Sequence, residues 1–193
     1  DGTSFEASVP LIEGTNALTA RARKTTGKEG TARIDVVFDT TAPTLTASAP
    51  ADGQSGVALS PVLRLTLAEA LDASTVVASA FVLSAPGASA PSLAATLGGA
   101  GSNVVTLVPA APLAEATEFT LSVAASVADL AGNALATSLA IRFTTVDQTP
   151  PPAPVLDTVP ELLCAATVTL SGSSETGAIL AVSGGAAGAQ GVA

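Results

Sequence analysis

Carboxylates are the main side chains of this 193-residue chain that could do chemistry, because the sequence has no histidine, no tryptophan, no tyrosine and only one cysteine. Without histidine the chain lacks the usual general base, a Ser-His-Asp triad and any histidine-bound zinc or iron site. The Asp and Glu residues number 16 and supply hard oxygen ligands. Calcium is therefore the one cofactor that the available ligands support.

Four aspartates are the candidate calcium ligands: Asp39, Asp129, Asp147 and Asp157. Asp39 and Asp147 open two similar proline-containing segments, at 39–43 and 147–151, and each segment follows a strand-like run. The alternative is that these aspartates form turns or caps. We favour that alternative, because the sequence contains no D-x-[DN]-x-[DN]-G calcium loop.

Two pairs of carboxylates, Glu69 with Asp72 and Glu115 with Glu118, have the residue types of a glycosidase acid and base. Both pairs lie in segments that are typical of solvated turns. The chain also has no tryptophan or tyrosine on which a sugar ring could stack. We therefore predict that this chain is not an enzyme.

The net charge of −9 excludes nucleic acid as a favoured partner, because the phosphate backbone repels an acidic surface. Most of the basic residues form a cluster in the first 33 positions: Arg21, Arg23, Lys24, Lys28 and Arg33. We interpret this cluster as a solvated strand face, with docking onto an acidic domain or a polysaccharide as the alternative. No apolar run is long enough for membrane insertion. The single cysteine, Cys164, has apolar neighbours and is interpreted as a small core residue rather than a reactive thiol.

The elements that must position these side chains are predicted to be strands. Period-two alternation over 18–23 and 31–38 predicts an antiparallel hairpin, with a turn in the glycine-containing segment between them. Residues 85–100 are predicted to be a connection with little structure, and 71–76 and 126–130 to be single helical turns. Further strands are predicted near 44–49, 62–68, 80–84, 103–108, 117–124 and 138–144, and, beyond a proline-rich linker, at 167–170 and 178–182.

Six or seven short strands separated by turns predict an all-β fold, an antiparallel β-sandwich, in the centre of the chain. Several motifs there resemble those of bacterial immunoglobulin-like repeats of the S-layer (SbsA-type) variety. They are Pro50-Ala51-Asp52-Gly53-Gln54-Ser55-Gly56-Val57, Asp129-Leu130-Ala131-Gly132-Asn133-Ala134-Leu135 and Phe143-Thr144-Thr145. Ala116 and Phe119 depart from the pattern, where the family usually has Gly and Tyr.

The two ends of the chain resemble complementary halves of a second type of Ig-like repeat. Val9-Pro10-Leu11-Ile12-Glu13-Gly14 belongs to its second half, and Thr167-Val168-Thr169-Leu170-Ser171-Gly172 belongs to its first half. We therefore expect tandem repeats: a C-terminal half-domain at 1–43, a complete Ig-like sandwich at 44–147, and a linker with an N-terminal half-domain at 148–193. Half-domains expose strand edges, so head-to-tail self-association is expected.

The resemblance implies a structural or adhesive spacer module of a secreted or cell-surface bacterial protein. The alternative is an accessory, non-catalytic module of an extracellular polysaccharide-active enzyme. Neighbouring Ig-like domains are the expected partners, with a surface protein or polysaccharide as a further ligand. Ig-like arrays sometimes bind calcium at inter-domain hinges, which implies that Asp39 and Asp147 are the positions to inspect first.

Overall fold

The structure, a computed structural model, describes residues 4–87, 90–98, 101–159, 168–183 and 189–190. The chain divides into two compact units, Asp1–Asp147 and Gln148–Ala193. Strands dominate, and a one-turn 3-10 helix at Ala78–Ala80 is the only helix in the described ranges. This described part therefore contains no helix with the length and hydropathy of a membrane span. The predicted all-β fold is confirmed.

The first unit begins with a long hairpin. Strands β1 (Gly14–Arg23) and β2 (Glu29–Phe38) pair antiparallel along their whole length, with Leu18 opposite Ile34. The turn between them places Gly27 at φ 84°, a backbone conformation that glycine adopts without steric cost. The predicted hairpin and its turn are confirmed.

The alternation of the hairpin sequence separates an apolar face from a charged face. Leu18, Ala20, Ala32 and Ile34 share one face, because they are directly opposite or two residues apart in the register. The basic residues of both strands lie on the other face, where Arg33 pairs with Asp35 at 2.9 Å. The apolar face is poorly covered: Ile34 is 62% exposed.

A β-sandwich of two four-stranded sheets follows. One sheet has the order β3 (Leu45–Ala49), β5 (Leu63–Leu67), β8 (Val104–Pro109), β7 (Leu93–Leu97), and all its pairs are antiparallel. The other has the order β4 (Gln54–Val57), β10 (Leu139–Thr145), β9 (Glu118–Val123), β6 (Phe81–Ser84). Its β4–β10 pair is parallel and the remaining pairs are antiparallel. The predicted sandwich is confirmed.

The core lies between these two sheets and is built from alternate strand residues. The Phe119 and Phe143 rings, on neighbouring strands, stack at a centroid distance of 5.8 Å and an interplanar angle of 20°. These faces were predicted to point inward because every second position is apolar. The buried set includes Leu63, Leu65, Leu67, Leu121, Val123 and Ile141.

Three local predictions were wrong. Strand β7 lies inside 85–100, which was expected to have little structure, because its backbone bonds to β8 compensate for a side-chain pattern of mostly small residues. The predicted helical turn at 71–76 is a non-helical turn, in which the Asp72 carboxylate accepts hydrogen bonds from the backbone and hydroxyl of Ser74. The segment 126–130 is also not helical, because Asp129 forms a β-bridge with Leu71.

The chain enters and leaves the sandwich at opposite ends. At the end that we call upstream, Pro43 is buried and the backbone carbonyl of Asp39 accepts a hydrogen bond from Asn133 in the β9–β10 loop. Strand β10 then runs to the downstream end, where the Val146 N–H donates to the Val57 carbonyl at 2.8 Å. Because the chain enters at one end and leaves at the other, the segments before and after the sandwich are separated by the length of the sandwich.

The second unit contains only two-residue strands in its described part. β11 (Val155–Leu156) pairs with β12 (Gly172–Ser173), and β13 (Ala181–Val182) pairs with β14 (Ala189–Gln190). The predicted strand at 178–182 is thus restricted to Ala181–Val182. Residues 168–170 of the predicted strand at 167–170 are not in a strand, whereas Thr167 and Cys164 lie outside the described residues.

Candidate metal centre

The linker between hairpin and sandwich is held by hydrogen bonds from both sides. The Glu13 carboxylate, just before β1, accepts from the N–H and the hydroxyl of Thr40 at 3.1 and 2.7 Å. These Thr40 bonds lower the pKa of Glu13 below its usual value. Asp39 accepts from the Thr41 N–H at 2.9 Å, so its carboxylate also shapes the linker as a turn.

The β9–β10 loop is organised by Asp129, whose side chain is almost completely buried. Its Oδ1 accepts from the N–H groups of Ala131 and Asn133, both at 2.8 Å, and its Oδ2 accepts from the Asn133 amide at 2.9 Å. Gly132, at φ 95°, permits the tight path between these two donors. Burial raises the pKa of Asp129, but the hydrogen bonds from Asn133 and Ala131 outweigh it and lower the pKa overall. Asp129 is therefore ionised at neutral pH.

Three carboxylates meet at the upstream end of the sandwich. One oxygen from each of Asp39, Glu69 and Asp129 lies within 4.8 Å of the other two. Burial, followed by the negative charges of Asp129 and Asp39, raises the pKa of Glu69. The three side chains line an open pocket of about 450 Å³ together with Val37, Ala70, Leu130 and Ala131. We call Asp39, Glu69 and Asp129 the acidic triad.

The dimensions of the acidic triad fit a calcium ion. Calcium binds oxygen ligands at about 2.3–2.6 Å, so two ligands of one ion are at most about 5 Å apart. The ion pairs in the described part of the chain, Arg23–Glu29 and Arg33–Asp35, use carboxylates outside the triad. Neither ion pair relieves the mutual repulsion of the three triad carboxylates. A bound divalent cation would offset that repulsion.

The structure brings together two of the four predicted ligands. Asp39 and Asp129 join the triad, whereas Asp147 and Asp157 are not part of it. Asp157, in the second unit, accepts a hydrogen bond from the Ser171 hydroxyl at 2.6 Å. Glu69 was considered only as half of a hydrolytic pair, and no local signal identifies it as a ligand. The β-bridge between Leu71 and Asp129 brings it close.

The hydrolytic pairs have little in their surroundings to support catalysis. Asp72 uses its carboxylate to hold the turn at Ser74, and Glu115 and Glu118 are both exposed. Apart from the acidic triad, the pocket beside Glu69 is lined by small and aliphatic residues, and its lining includes no aromatic side chain on which a sugar could stack.

Comparison with known proteins adds two findings. The family model described as bacterial Ig-like domain matches residues 39–145. Among solved structures, the crystal structure of the S-layer protein rSbsC(31-844) is similar at 16% identity, with a TM-score of 0.41. The alignment covers 74% of this chain and 20% of that chain, so this chain spans about a fifth of its length. No curated protein matches the sequence.

Proposed function

Because this chain belongs to the bacterial Ig-like domain family, we propose that it is a non-catalytic structural spacer of a bacterial cell-surface or secreted protein. The observation that carries this proposal is the position of Asp39 and Val146 at opposite ends of the sandwich. A domain that the chain enters and leaves at opposite ends separates the neighbouring domains by its own length. Its partners are then the neighbouring Ig-like domains, with a surface protein or polysaccharide as a further ligand for an adhesive array.

The pairing of β4 with β10 is suited to bearing tension. The two strands are parallel, and tension pulls β4 towards the upstream end and β10 towards the downstream end. Under tension, three hydrogen bonds between the β4 segment and the β10 segment are loaded simultaneously, in shear. They are Gly53 N–H to the Arg142 carbonyl at 2.7 Å, Arg142 N–H to Asp52 Oδ1 at 2.8 Å, and Val146 N–H to the Val57 carbonyl at 2.8 Å.

Single-molecule force spectroscopy on the full chain, held at its termini, tests this function. We expect one unfolding event that releases the contour length of the sandwich, about 350 Å at roughly 3.4 Å per residue. Asp52→Ala should lower the unfolding force, whereas Asp35→Ala, on the hairpin, should not change it. Extension without a force peak would contradict the spacer function. Turnover in a screen of polysaccharides and esters would contradict the non-catalytic part of the proposal.

We also propose that the acidic triad binds calcium and stiffens the linker upstream of the sandwich. The support is the 4.8 Å grouping of three carboxylates beside a linker already bonded to both hairpin and sandwich. An ion shared by Asp39, Glu69 and Asp129 would connect the linker to two sandwich loops. The hinge would then bend less under load.

Calorimetric titration with calcium, combined with thermal melting, tests this site. We expect the melting temperature to rise with calcium for the native chain and for Asp147→Asn, because Asp147 lies outside the triad. Glu69→Gln should reduce both the heat of binding and the rise in melting temperature. Absence of heat and of any melting shift in the native chain would disprove the calcium site while leaving the spacer function intact.

A further inference from the structure

Strand β7 is the last strand of its sheet, and its outer edge is open. Within the described ranges, β8 is the one strand that pairs with it. The Ser92 carbonyl and the Gly98 N–H both bond to β8, at 2.9 and 3.0 Å. Backbone groups of an antiparallel strand point alternately to its two sides, and the register with β8 is unshifted. The N–H and C=O groups of Leu93, Ala95 and Leu97 therefore face the open edge.

The other three edge strands of the sandwich have features that discourage pairing with another chain. The pairing of β3 with β5 and that of β4 with β10 both contain a register shift, and β6 has only four residues. Natural sheets block edge-to-edge association with such irregular or short strands, or with charges and prolines. Strand β7 has five residues in regular register, Leu-Ala-Ala-Thr-Leu, with neither a charge nor a proline. It is the unprotected edge of the sandwich.

The surroundings of this edge are uncharged. No charged residue occurs between Asp72 and Glu115, so strands β6, β7 and β8 contain none. Strand β6 is the last strand of the other sheet and lies beside β7, so both sheets end without charge on this side. The net charge of −9 makes two copies repel each other elsewhere. A second copy therefore meets the least repulsion at this edge, whereas a strongly charged partner gains no attraction from it.

We propose that β7 pairs with β7 of a second copy, antiparallel about a twofold axis at Ala95. The strand sequence is self-complementary in this register. Ala95 lies opposite its own counterpart, each Leu93 lies opposite a Leu97, and each Ala94 lies opposite a Thr96. The residues whose backbone groups face the edge thus form hydrogen-bonded pairs, in which each pair exchanges both of its N–H···O bonds.

This pairing continues one sheet across both copies. Directly opposite residues point to the same face, so Leu93 and Leu97 stay on the core side and Ala94 and Thr96 stay on the outer side. The contact joins the same surface of both copies and therefore closes at a dimer. Because the paired strands are antiparallel, the two sandwiches point in opposite directions, as chains that project from facing surfaces do. This lateral pairing goes beyond the spacer function and does not depend on calcium.

Sedimentation of the full chain over a range of concentrations tests this pairing, and we expect a reversible monomer–dimer equilibrium. Ala95→Pro removes an N–H that faces the open edge, which is the one side of a strand where proline is tolerated. This variant should weaken the dimer by roughly tenfold or more, because the proline ring also occupies the space of the opposite strand. Ala95→Ser, which keeps the N–H, is the matched control and should dimerise like the native chain. Circular dichroism should show the native strand content for both.

Charges at position 94 test the antiparallel register. The two Ala94 side chains of a dimer are diagonal neighbours, about 7–8 Å apart. Ala94→Lys and Ala94→Glu should each weaken the dimer by about threefold, because like charges then meet across the twofold axis. A mixture of the two should recover a one-to-one heterodimer. Ala140→Lys is the matched control for Ala94→Lys, since Ala140 is an equally exposed strand alanine on β10, away from the edge.

Three results would overturn the proposal. The first is a native chain that stays monomeric at its highest soluble concentration. The second is self-association that Ala95→Pro leaves intact, because the association would then use another surface, such as the terminal half-domains head to tail. The third is a mixture of Ala94→Lys and Ala94→Glu that dimerises no better than either variant alone.

Discussion

The side-chain amide of Asn133 donates a hydrogen bond to the backbone carbonyl of Asp39 across 3.0 Å, and 94 positions separate the two residues in the sequence. The same amide donates to Asp129 Oδ2 at 2.9 Å. One side chain therefore fixes the linker upstream of the sandwich to the loop that follows β9. Calcium bound at the acidic triad would act on this same junction.

Replacing Asn133 should loosen the linker. Asn133→Ala removes both amide bonds and leaves a buried Asp129 oxygen with one donor fewer, which we expect to lower the free energy of unfolding by about 1–3 kcal/mol. Hydrogen exchange at Thr40 and Thr41 should accelerate. Asn103→Ala is the control, because its amide bonds the Leu67 carbonyl within the sandwich at 2.8 Å. If both variants changed exchange at Thr40 equally, Asn133 would have no special role at the linker.

Glu69 should make stability depend on pH in the absence of calcium. Its pKa is raised in the folded chain, first by burial and then by Asp129 and Asp39, so the folded state binds this proton more tightly than the unfolded state. The resulting stabilisation is present below the unfolded pKa and is lost as pH rises through the folded pKa. Glu69→Gln should therefore be more stable than the native chain at neutral pH without calcium.

Urea unfolding across the acidic to neutral range in the presence of a chelator measures this effect. The difference between the native chain and Glu69→Gln should grow as the pH rises. Glu115→Gln, at an exposed position near the downstream end, provides the control. Parallel stability profiles for the native chain and Glu69→Gln would show that the triad exerts no net repulsion.

Substitution of the buried Thr145 should lower the free energy of unfolding, because its hydroxyl makes hydrogen bonds with two backbone groups. It is 3% exposed, donates to the Ala114 carbonyl at 2.6 Å and accepts from the Thr117 N–H at 3.0 Å. Thr145→Val keeps the shape but leaves both groups without this partner, at a cost of about 2 kcal/mol. Thr144→Val, on the opposite face of β10, should cost much less in the same chemical denaturation. Equal costs would mean that water replaces the hydroxyl.

Replacing Ala116 with glycine should stabilise the folded protein. Its φ is 47°, in the left-handed region where a Cβ is unfavourable. Ala116→Gly should raise the free energy of unfolding by about 1 kcal/mol. Ala111→Gly, at a nearby position where φ is not positive, should be neutral or destabilising. A loss of stability in Ala116→Gly would show that the turn is not strained.

Much of the fold could be predicted from the sequence because its signals are local. Alternation at Ala32, Ile34, Val36 and Phe38 predicts β2, and the same pattern places Phe119 and Phe143 inside the sandwich. Strand β7 was not predicted, because its two inward leucines, Leu93 and Leu97, are separated by Ala95 and lie in a segment rich in small residues. Hydrogen bonds to β8 form that strand, and a partner 10 residues away is not visible in a period-two pattern.

The sequence by itself determined the all-β class, the inward faces of most sandwich strands and the absence of histidine-based chemistry, because composition and alternation act over a few residues. Only the tertiary structure decided that Asp39 and Asp129 lie beside Glu69 while Asp147 does not. The physical reason is that long-range neighbours are set by strand register and by bridges such as Leu71 to Asp129. These depend on how the whole core packs, and no single segment encodes them.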